Sequence, residues 1–396
     1  MDMQETANIL IIGGGVIGVS IAYHLAQRRV GRVVLLERDS LASGSTGRSV
    51  ASIDGLTLRP QAAGLFADGA RFFAHCDERL GAPCGFVPTG AVVLAGDGQK
   101  GDLETAVSHT QAAGLPSQLL SPDELAVLDP RMVLDGVAAA SFTPGAGYAD
   151  PALTTQAFAG AARRLGVEIR QGTKVVRLLR DGEKVVGVET AVSTLHAPIV
   201  IIAAGSWSGN LLRTARLDLP LQPVRHPVVC LRRPPEFGTP HHSLLDLTGG
   251  IYARPETGDL TLLGSVDANV GYDPIQANDT GGYVHESYIL WALTQLTQRY
   301  PSLETSQLLP GWTGVMTITP NWQPIIGGWP DAPGLFCAVG FSGQGFQISP
   351  AVGKLLAELV TGSRDAASQL APFAPTRFAT ATQHPQHTGE NHSLLR

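Results

Sequence analysis

The stretch GGGVIG at residues 13–18 restricts the fold more than any other, because of what flanks it. Ile9–Ile12 ahead of it is an apolar run suited to a buried strand, and Ile17, Ile21 and Leu25 behind it recur at helical spacing. A second apolar run, VVLLE at 33–37, ends in an acid about 20 positions past the glycines. Strand, turn, helix and strand thus close within about 30 residues, the pattern of a dinucleotide-binding βαβ unit. Each glycine has a steric task there: Gly13 permits the tight turn, Gly15 lets backbone approach a pyrophosphate, and Gly18 lets the helix pack close to the strand. Val16 and Ile17 open the helix, whose N-terminal end faces the phosphates. Glu37, with Arg38 beside it, ends the second strand where a carboxylate accepts hydrogen bonds from ribose hydroxyls, which favours a 2′-OH over a 2′-phosphate. FAD and NAD share this fingerprint, so the rest of the chain must decide between them.

At 396 residues the chain exceeds what one core usually supports, which predicts two domains. A net charge of -6 with dispersed Lys and Arg argues against a nucleic-acid partner. No apolar run reaches the roughly 18 residues of a membrane span, and MDMQETAN lacks a signal-peptide pattern, so a soluble cytoplasmic protein is expected. Cys76, Cys84, Cys230 and Cys337 form no CxxC pair and read as buried reduced thiols, with no metal site. His241 and His242 lie in a Pro-flanked polar stretch that reads as a surface loop.

Further along, Asp150 caps and Pro151 opens a helix running to about Leu165, with Gly166 as its stop. A hairpin with strands Val175–Arg180 and Lys184–Thr190 turns through Asp181 and Gly182, and PIVIIAAG at 198–205 reads as a buried strand. The stretches 86–145 and 221–310 carry short β runs, Pro-rich connections and a helical pattern over Tyr283–Arg299. A last helix is expected from Pro350 to about Val360, with Ser349 as cap and Gly362 as stop. The expected division is a discontinuous nucleotide-binding domain of 1–85, 146–220 and 311–371, interleaved with a substrate domain of 86–145 and 221–310. Residues 372–396 read as a flexible tail.

Four segments together are far more specific than the glycine fingerprint. ERDSLASGSTGRSVASI at 37–53, AAGSWS at 203–208, PNWQPIIGG at 320–328 and GFSGQGFQISPAVGKLLAELVTG at 340–362 resemble the D-amino-acid oxidase-like flavoenzymes. Glycine oxidase, sarcosine oxidase and its heteromeric β subunits, and D-amino-acid dehydrogenases belong to that family. The resemblance implies FAD as cofactor and an α/β plus α+β fold, a Rossmann-like FAD-binding domain with an interleaved antiparallel-sheet substrate domain roofing the flavin. It also implies that Ser45, Thr46, Gly47, Arg48 and Ser49 line the pyrophosphate and isoalloxazine, and that Val175 holds the adenine by backbone contact. Ala204, Gly205 and Trp207 form a second cofactor-contacting turn. The loop of Gly340, Ser342, Gly343, Gln344, Gly345, Phe346 and Gln347 precedes a helix whose positive end faces the flavin pyrimidine edge.

The reaction so implied is oxidation of the C–N bond of an amino acid or secondary amine, with hydride passing from the α C–H to flavin N5 and the imine then hydrolysing. An FAD-dependent α-hydroxy-acid dehydrogenase and a flavin-holding subunit of a heteromeric complex are the alternatives. Tyr252 resembles a family tyrosine that reaches the substrate, and Arg254, two positions on, shares its strand face. The family's basic carboxylate clamps are absent, since Met316 stands where an arginine is common and Gln347 where monomeric sarcosine oxidases carry a lysine. Carboxylate recognition would fall to Arg48, Arg225, Arg254 or Tyr252, or be absent. Gly314 near the position of the flavin-tethering cysteine implies noncovalent FAD, and Leu262 near that of an oxygen-activating lysine weakens the oxidase reading, leaving oxygen, another electron acceptor or a partner subunit open.

Overall fold

The computed structural model describes residues 5–279 and 281–378. Its first sheet contains the short apolar runs expected from the sequence. Ile9–Ile12, Val33–Leu36 and Ile199–Ile202 lie parallel, with Ile9 opposite both Val33 and Ile199. The six strands run in the order 325–329, 332–339, 199–202, 9–12, 33–36, 168–170. Because side chains alternate across a strand, Ile9, Ile11, Val33 and Leu35 enter one apolar cluster while Leu10, Ile12, Val34 and Leu36 enter another. The first cluster lies under the helices Val16–Gln27, Pro151–Arg164 and Gly345–Val360, and the second under the sheet containing the hairpin Val175–Asp181 and Lys184–Thr190. Parallel strands covered on both faces tolerate no polar alternation, which is why these runs are apolar throughout.

Helices Val16–Gln27 and Gly345–Val360 cross where Gly353 meets Ser20, and a Cβ on Gly353 would lie 2.2 Å from Ser20 Oγ. That hydroxyl donates to the Ser349 carbonyl at 2.8 Å. The later helix begins at Gly345, not at Pro350 as expected, and Pro350 is inside it. Burial of Phe346 and Ile348 in the core outweighs the single backbone hydrogen bond that proline removes. Asp150 does cap its helix, accepting from Leu153 N at 2.7 Å.

The second sheet is mostly antiparallel and runs 273–274, 222–232, 260–265, 251–256, 243–246, 91–95, 139–143, 118–120, with 307–318 paired to 222–232. Strand Gln307–Ile318 is continuous across position 311, where a domain boundary was expected. Pairing with the whole length of Gln222–Arg232 keeps it in this sheet. His241 is buried beneath Phe237 and Tyr300 rather than sitting in a surface loop, with Nε2 2.9 Å from Thr261 Oγ1. Residues 372–378 are also ordered against the core: Phe373 is buried, and Arg377 donates to the Gln323 carbonyl at 2.9 Å. The rest of the expected tail, 379–396, lies outside the described residues. All four cysteines are buried and free, and no described helix is long and apolar enough to cross a membrane.

The helix Glu286–Arg299 is tied to the second sheet by an ion pair sealed from water, Arg299 Nε to Asp246 Oδ2 at 2.6 Å. The same guanidinium donates to the carbonyls of Val133 and Asp135. Removing one partner strands the other charge, so Asp246→Ala should lower unfolding free energy by about 3–5 kcal/mol in urea titration. Truncating the partly exposed pair Arg28–Glu358 should cost no more than about 1 kcal/mol.

Candidate cofactor and substrate cavity

Between the two sheets lies a cavity of about 580 Å³. At one end its floor is the glycine turn. Gly13 has φ +114°, its N–H donates to the Leu36 carbonyl at 2.9 Å, and a Cβ would come within 2.3 Å of the Ala203 carbonyl oxygen. Gly18 does not reach the cavity. A Cβ there would lie 1.9 Å from the Gly13 oxygen, so its bare Cα is what lets the helix seat on the turn. Gly15, Val16 and Ile17 line the wall, and Val16 N donates to Thr46 Oγ1 at 3.2 Å.

Glu37 is held by two backbone amides, Gly14 N at 2.6 Å on one oxygen and Asp39 N at 2.8 Å on the other. Each oxygen keeps a lone pair for a hydroxyl. Arg38 stacks its guanidinium on the Trp207 ring at 4.0 Å, and Val175, Ala204 and Gly205 complete this end. Ser45, Thr46, Arg48 and Ser49 line the middle. Gly47 does not line it; its N–H bonds the Ala42 carbonyl, and a Cβ would clash with that oxygen at 2.4 Å.

At the far end Gly340, Ser342, Gly343, Gln344, Gly345, Phe346 and Gln347 form the wall. Ser342 holds φ +49°, with its N–H on the Thr317 carbonyl and its hydroxyl accepting from Thr319 N. This turn delivers the first amides of helix Gly345–Val360 to the cavity, a positive end that suits negative charge. The bare cradle at Gly13 and Gly15, the anchored Glu37 carboxylate and this second helix end fit the pyrophosphate, ribose and flavin of FAD respectively. Gly314 also lines the cavity, so no thiol is offered at that position.

The substrate side differs from expectation. Arg254 is buried outside the cavity wall, donating to the Val50 and Pro255 carbonyls, pairing with Glu256 at 3.0 Å and stacking on Tyr148 at 4.1 Å. It shares the strand face of Tyr252 but lies one pleat beyond the cavity, so the positioning role expected of it is corrected to a structural one. Arg225 is likewise absent from the wall, pairing with Asp279 at 2.9 Å. Arg48 lines the cavity, with its Nη1 donating to the carbonyls of Ser43 and Gly44. Met316 lines the wall, whereas Leu262 is buried outside it.

Tyr252 does line the cavity, with a partner that sequence reasoning missed. His226 Nδ1 lies 3.1 Å from the Gly271 carbonyl, and its Nε2 lies 3.2 Å from Tyr252 Oη. Burial pushes this imidazole down to about 4, leaving it neutral at physiological pH. A carbonyl cannot donate, so the single ring proton sits on Nδ1 and Nε2 must accept. Tyr252 therefore spends its O–H on His226 and offers the cavity only an acceptor.

Asp54, also unforeseen, lines the cavity. Gln347 Oε1 accepts from Asp54 N at 3.0 Å and from Gly55 N at 3.4 Å, so Gln347 acts as a latch under this carboxylate. Burial pushes the Asp54 carboxyl up to about 6, partly offset by a hydrogen bond from Gln347. No short-range sequence pattern marks Asp54 or His226; only the strand pairing brings them to one cavity.

Two stacked sheets, a βαβ cradle and a second helix end aimed into one cavity define a dinucleotide-binding flavoprotein architecture. Residues 8–359 match the model of the DAO family, FAD dependent oxidoreductase, and the chain belongs to that family. It is 28% identical to the glycine oxidase of Geobacillus kaustophilus (strain HTA426) over 95% of this chain and 98% of that protein. It is 27% identical to the mitochondrial sarcosine dehydrogenase of Homo sapiens over 91% of this chain, but spans only 40% of that longer protein. Among solved structures, L-proline dehydrogenase from P. horikoshii superposes with a TM-score of 0.85 at 27% identity, covering 95% of this chain and 99% of that one. The protein is an FAD-dependent oxidoreductase with a Rossmann-like cofactor domain.

Two outcomes follow from this geometry. Gly15→Val places a branched side chain in the space that backbone must yield to phosphate, where even a Cβ meets Thr46 Oγ1 at 3.1 Å. The folded variant should purify without flavin absorbance, and full FAD content would show that the cradle does not hold the cofactor. For Asp54 the folded carboxyl titrates near 6 against an ordinary 3.8. The folded state then binds more protons than the unfolded chain between those values, so this group's cost to stability appears as pH rises through that window and is complete above it. Asp54→Asn should raise Tm by a few degrees at pH ~7.5 and by little at pH ~4.

Proposed function

We propose that this protein oxidises the C–N bond of an amine or amino acid, acting on CH–NH or CH–NH2 donors. FAD, when bound, supplies the acceptor for the hydride leaving the α C–H, and the imine product hydrolyses. The observation that carries the reading is the Tyr252–His226 pair on the cavity wall, because it presents a hydrogen-bond acceptor suited to an N–H. An amine must reach the reacting position neutral, and an uncharged acceptor receives its N–H without favouring the ammonium form. The buried, neutral imidazole fixes the direction of that hydrogen bond, and most of the cavity wall is apolar. The names of the relatives support the reaction class: an oxidase of glycine, and dehydrogenases of sarcosine and of L-proline. Sites expected to bind FAD are the glycine cradle, Glu37 and Arg38, the 45–49 turn, Val175, the 204–207 turn and the 340–347 loop. Re-oxidation falls to oxygen or to another acceptor, including a partner subunit.

Anaerobic mixing with a panel of amines, N-methylated glycines, prolines and α-hydroxy acids tests this directly. Bleaching of the flavin absorbance by amines or amino acids is expected, and bleaching by α-hydroxy acids alone would overturn the reading. FAD should be released by acid or heat, since Gly314 offers no thiol for a covalent link. Tyr252→Phe removes the acceptor and leaves His226 Nε2 unpaired, so kcat/KM should fall about 10-fold with flavin content unchanged.

A further inference from the structure

Charge is unevenly distributed around the cavity. Glu37, Arg38, Asp39 and Lys174 belong to the end that holds Trp207 and Val175, and Arg48 in the middle is tethered through Nη1 to loop carbonyls. Beyond Arg48, the remaining wall has one charged group among the described residues, the Asp54 carboxylate. Among the described residues no Lys, Arg or His pairs with it. Withdrawing a carboxylate from water without a cationic partner favours its neutral form, and the Asp54 carboxyl is pushed up for that reason. The latch from Gln347 to two successive amides fixes the backbone that bears it. Unpaired charge held rigidly on the wall of a ligand cavity is the arrangement expected of a recognition group.

The other polar groups agree in sign. Tyr252 presents only its lone pair, because His226 has taken its proton. Tyr272 spends its O–H on the Ser265 carbonyl at 2.9 Å. A substrate carboxylate placed beside Asp54 would meet an anion, and neither Tyr252 nor Tyr272 would offer it a proton. Leu56, Val93, Leu245 and Val266 supply apolar wall for a methylene stem.

We propose, resting on the amine-oxidation reading above, that the substrate is a cationic amine without a carboxylate, an aliphatic diamine or polyamine, and that Asp54 receives its distal ammonium. The reacting nitrogen lies neutral against Tyr252 while the second nitrogen stays protonated. FAD, when bound, would take the two electrons and proton of the α C–H as hydride; the nitrogen lone pair makes the C–N bond an iminium C=N bond, and water hydrolyses it to an aldehyde with the nitrogen released as ammonium or amine. Asp54 takes no part in bond breaking.

The test uses holoenzyme under anaerobic conditions with the α,ω-diaminoalkanes from diaminopropane to diaminohexane and spermidine, against n-butylamine, glycine and sarcosine. Stopped-flow flavin reduction separates the dissociation constant from the limiting rate, and calorimetry checks the former independently. A diamine should bind at least roughly 30-fold more tightly than n-butylamine, as a desolvated charge pair requires. Asp54→Asn and Asp54→Ser should abolish that advantage, with the limiting rate within about threefold and FAD content unchanged. Reduction by glycine or sarcosine with none by any diamine would overturn the inference and leave amine oxidation standing. Diamine affinity unaltered in both variants would overturn the role of Asp54. If no amine or amino acid reduces the flavin while an α-hydroxy acid does, the underlying reading falls instead.

Discussion

The fold turns on one steric contact, the seat of the helix Val16–Gln27 on the glycine turn. Gly18 has no side chain, and the Gly13 oxygen occupies the place where its Cβ would be. That contact sets how near the helix N-terminus lies to strand Ile9–Ile12, and hence where its free amides point. The same helix then sets the second one, because Ser20 presses on Gly353 and donates to Ser349. Two helix ends are thereby aimed into one cavity from positions more than three hundred residues apart in sequence. A methyl group at Gly18 or Gly353 would therefore be felt first as a displaced cofactor site.

The second sheet imposes a different constraint. It must roof a cavity while staying paired, and it does so by presenting side chains whose polar atoms are already committed. Arg254 gives its donors to Val50 and Pro255, and Tyr272 gives its O–H to Ser265. Where this roof meets the cavity, Tyr252 and Tyr272 donate away from it and present acceptors.

The βαβ unit, the helix capped by Asp150 and the hairpin through Gly182 were legible because local sequence specifies each of them: a glycine with positive φ, a cap, an alternating or continuous apolar run. Gly340 and the turn to Gln347 were legible through resemblance. The helix start at Gly345 was not, since Pro350 obeys the rule for a first turn and only burial of Phe346 and Ile348 overrides it. His241 was misplaced because its polar neighbours hide an aromatic pocket assembled from Phe237 and Tyr300. Tyr252 and Arg254 share a strand face in any sequence reading. Which of them meets the cavity depends on where Val50 crosses beneath that strand, a long-range fact.

His226 illustrates how a residue with no motif can decide the chemistry of one that has a family precedent. A tyrosine hydroxyl in isolation can donate to a carboxylate or accept from an amine, and resemblance alone leaves both open. The Gly271 carbonyl fixes the proton on one side of the imidazole, burial keeps the ring neutral, and Tyr252 is left with one direction in which to donate. Gln347 plays the corresponding part for Asp54 by holding its backbone. In both cases the residue that faces the cavity takes its polarity or its placement from a neighbour that a different element supplies. Specificity in such a site is thus set by the pairing of elements as much as by the side chains that touch the substrate.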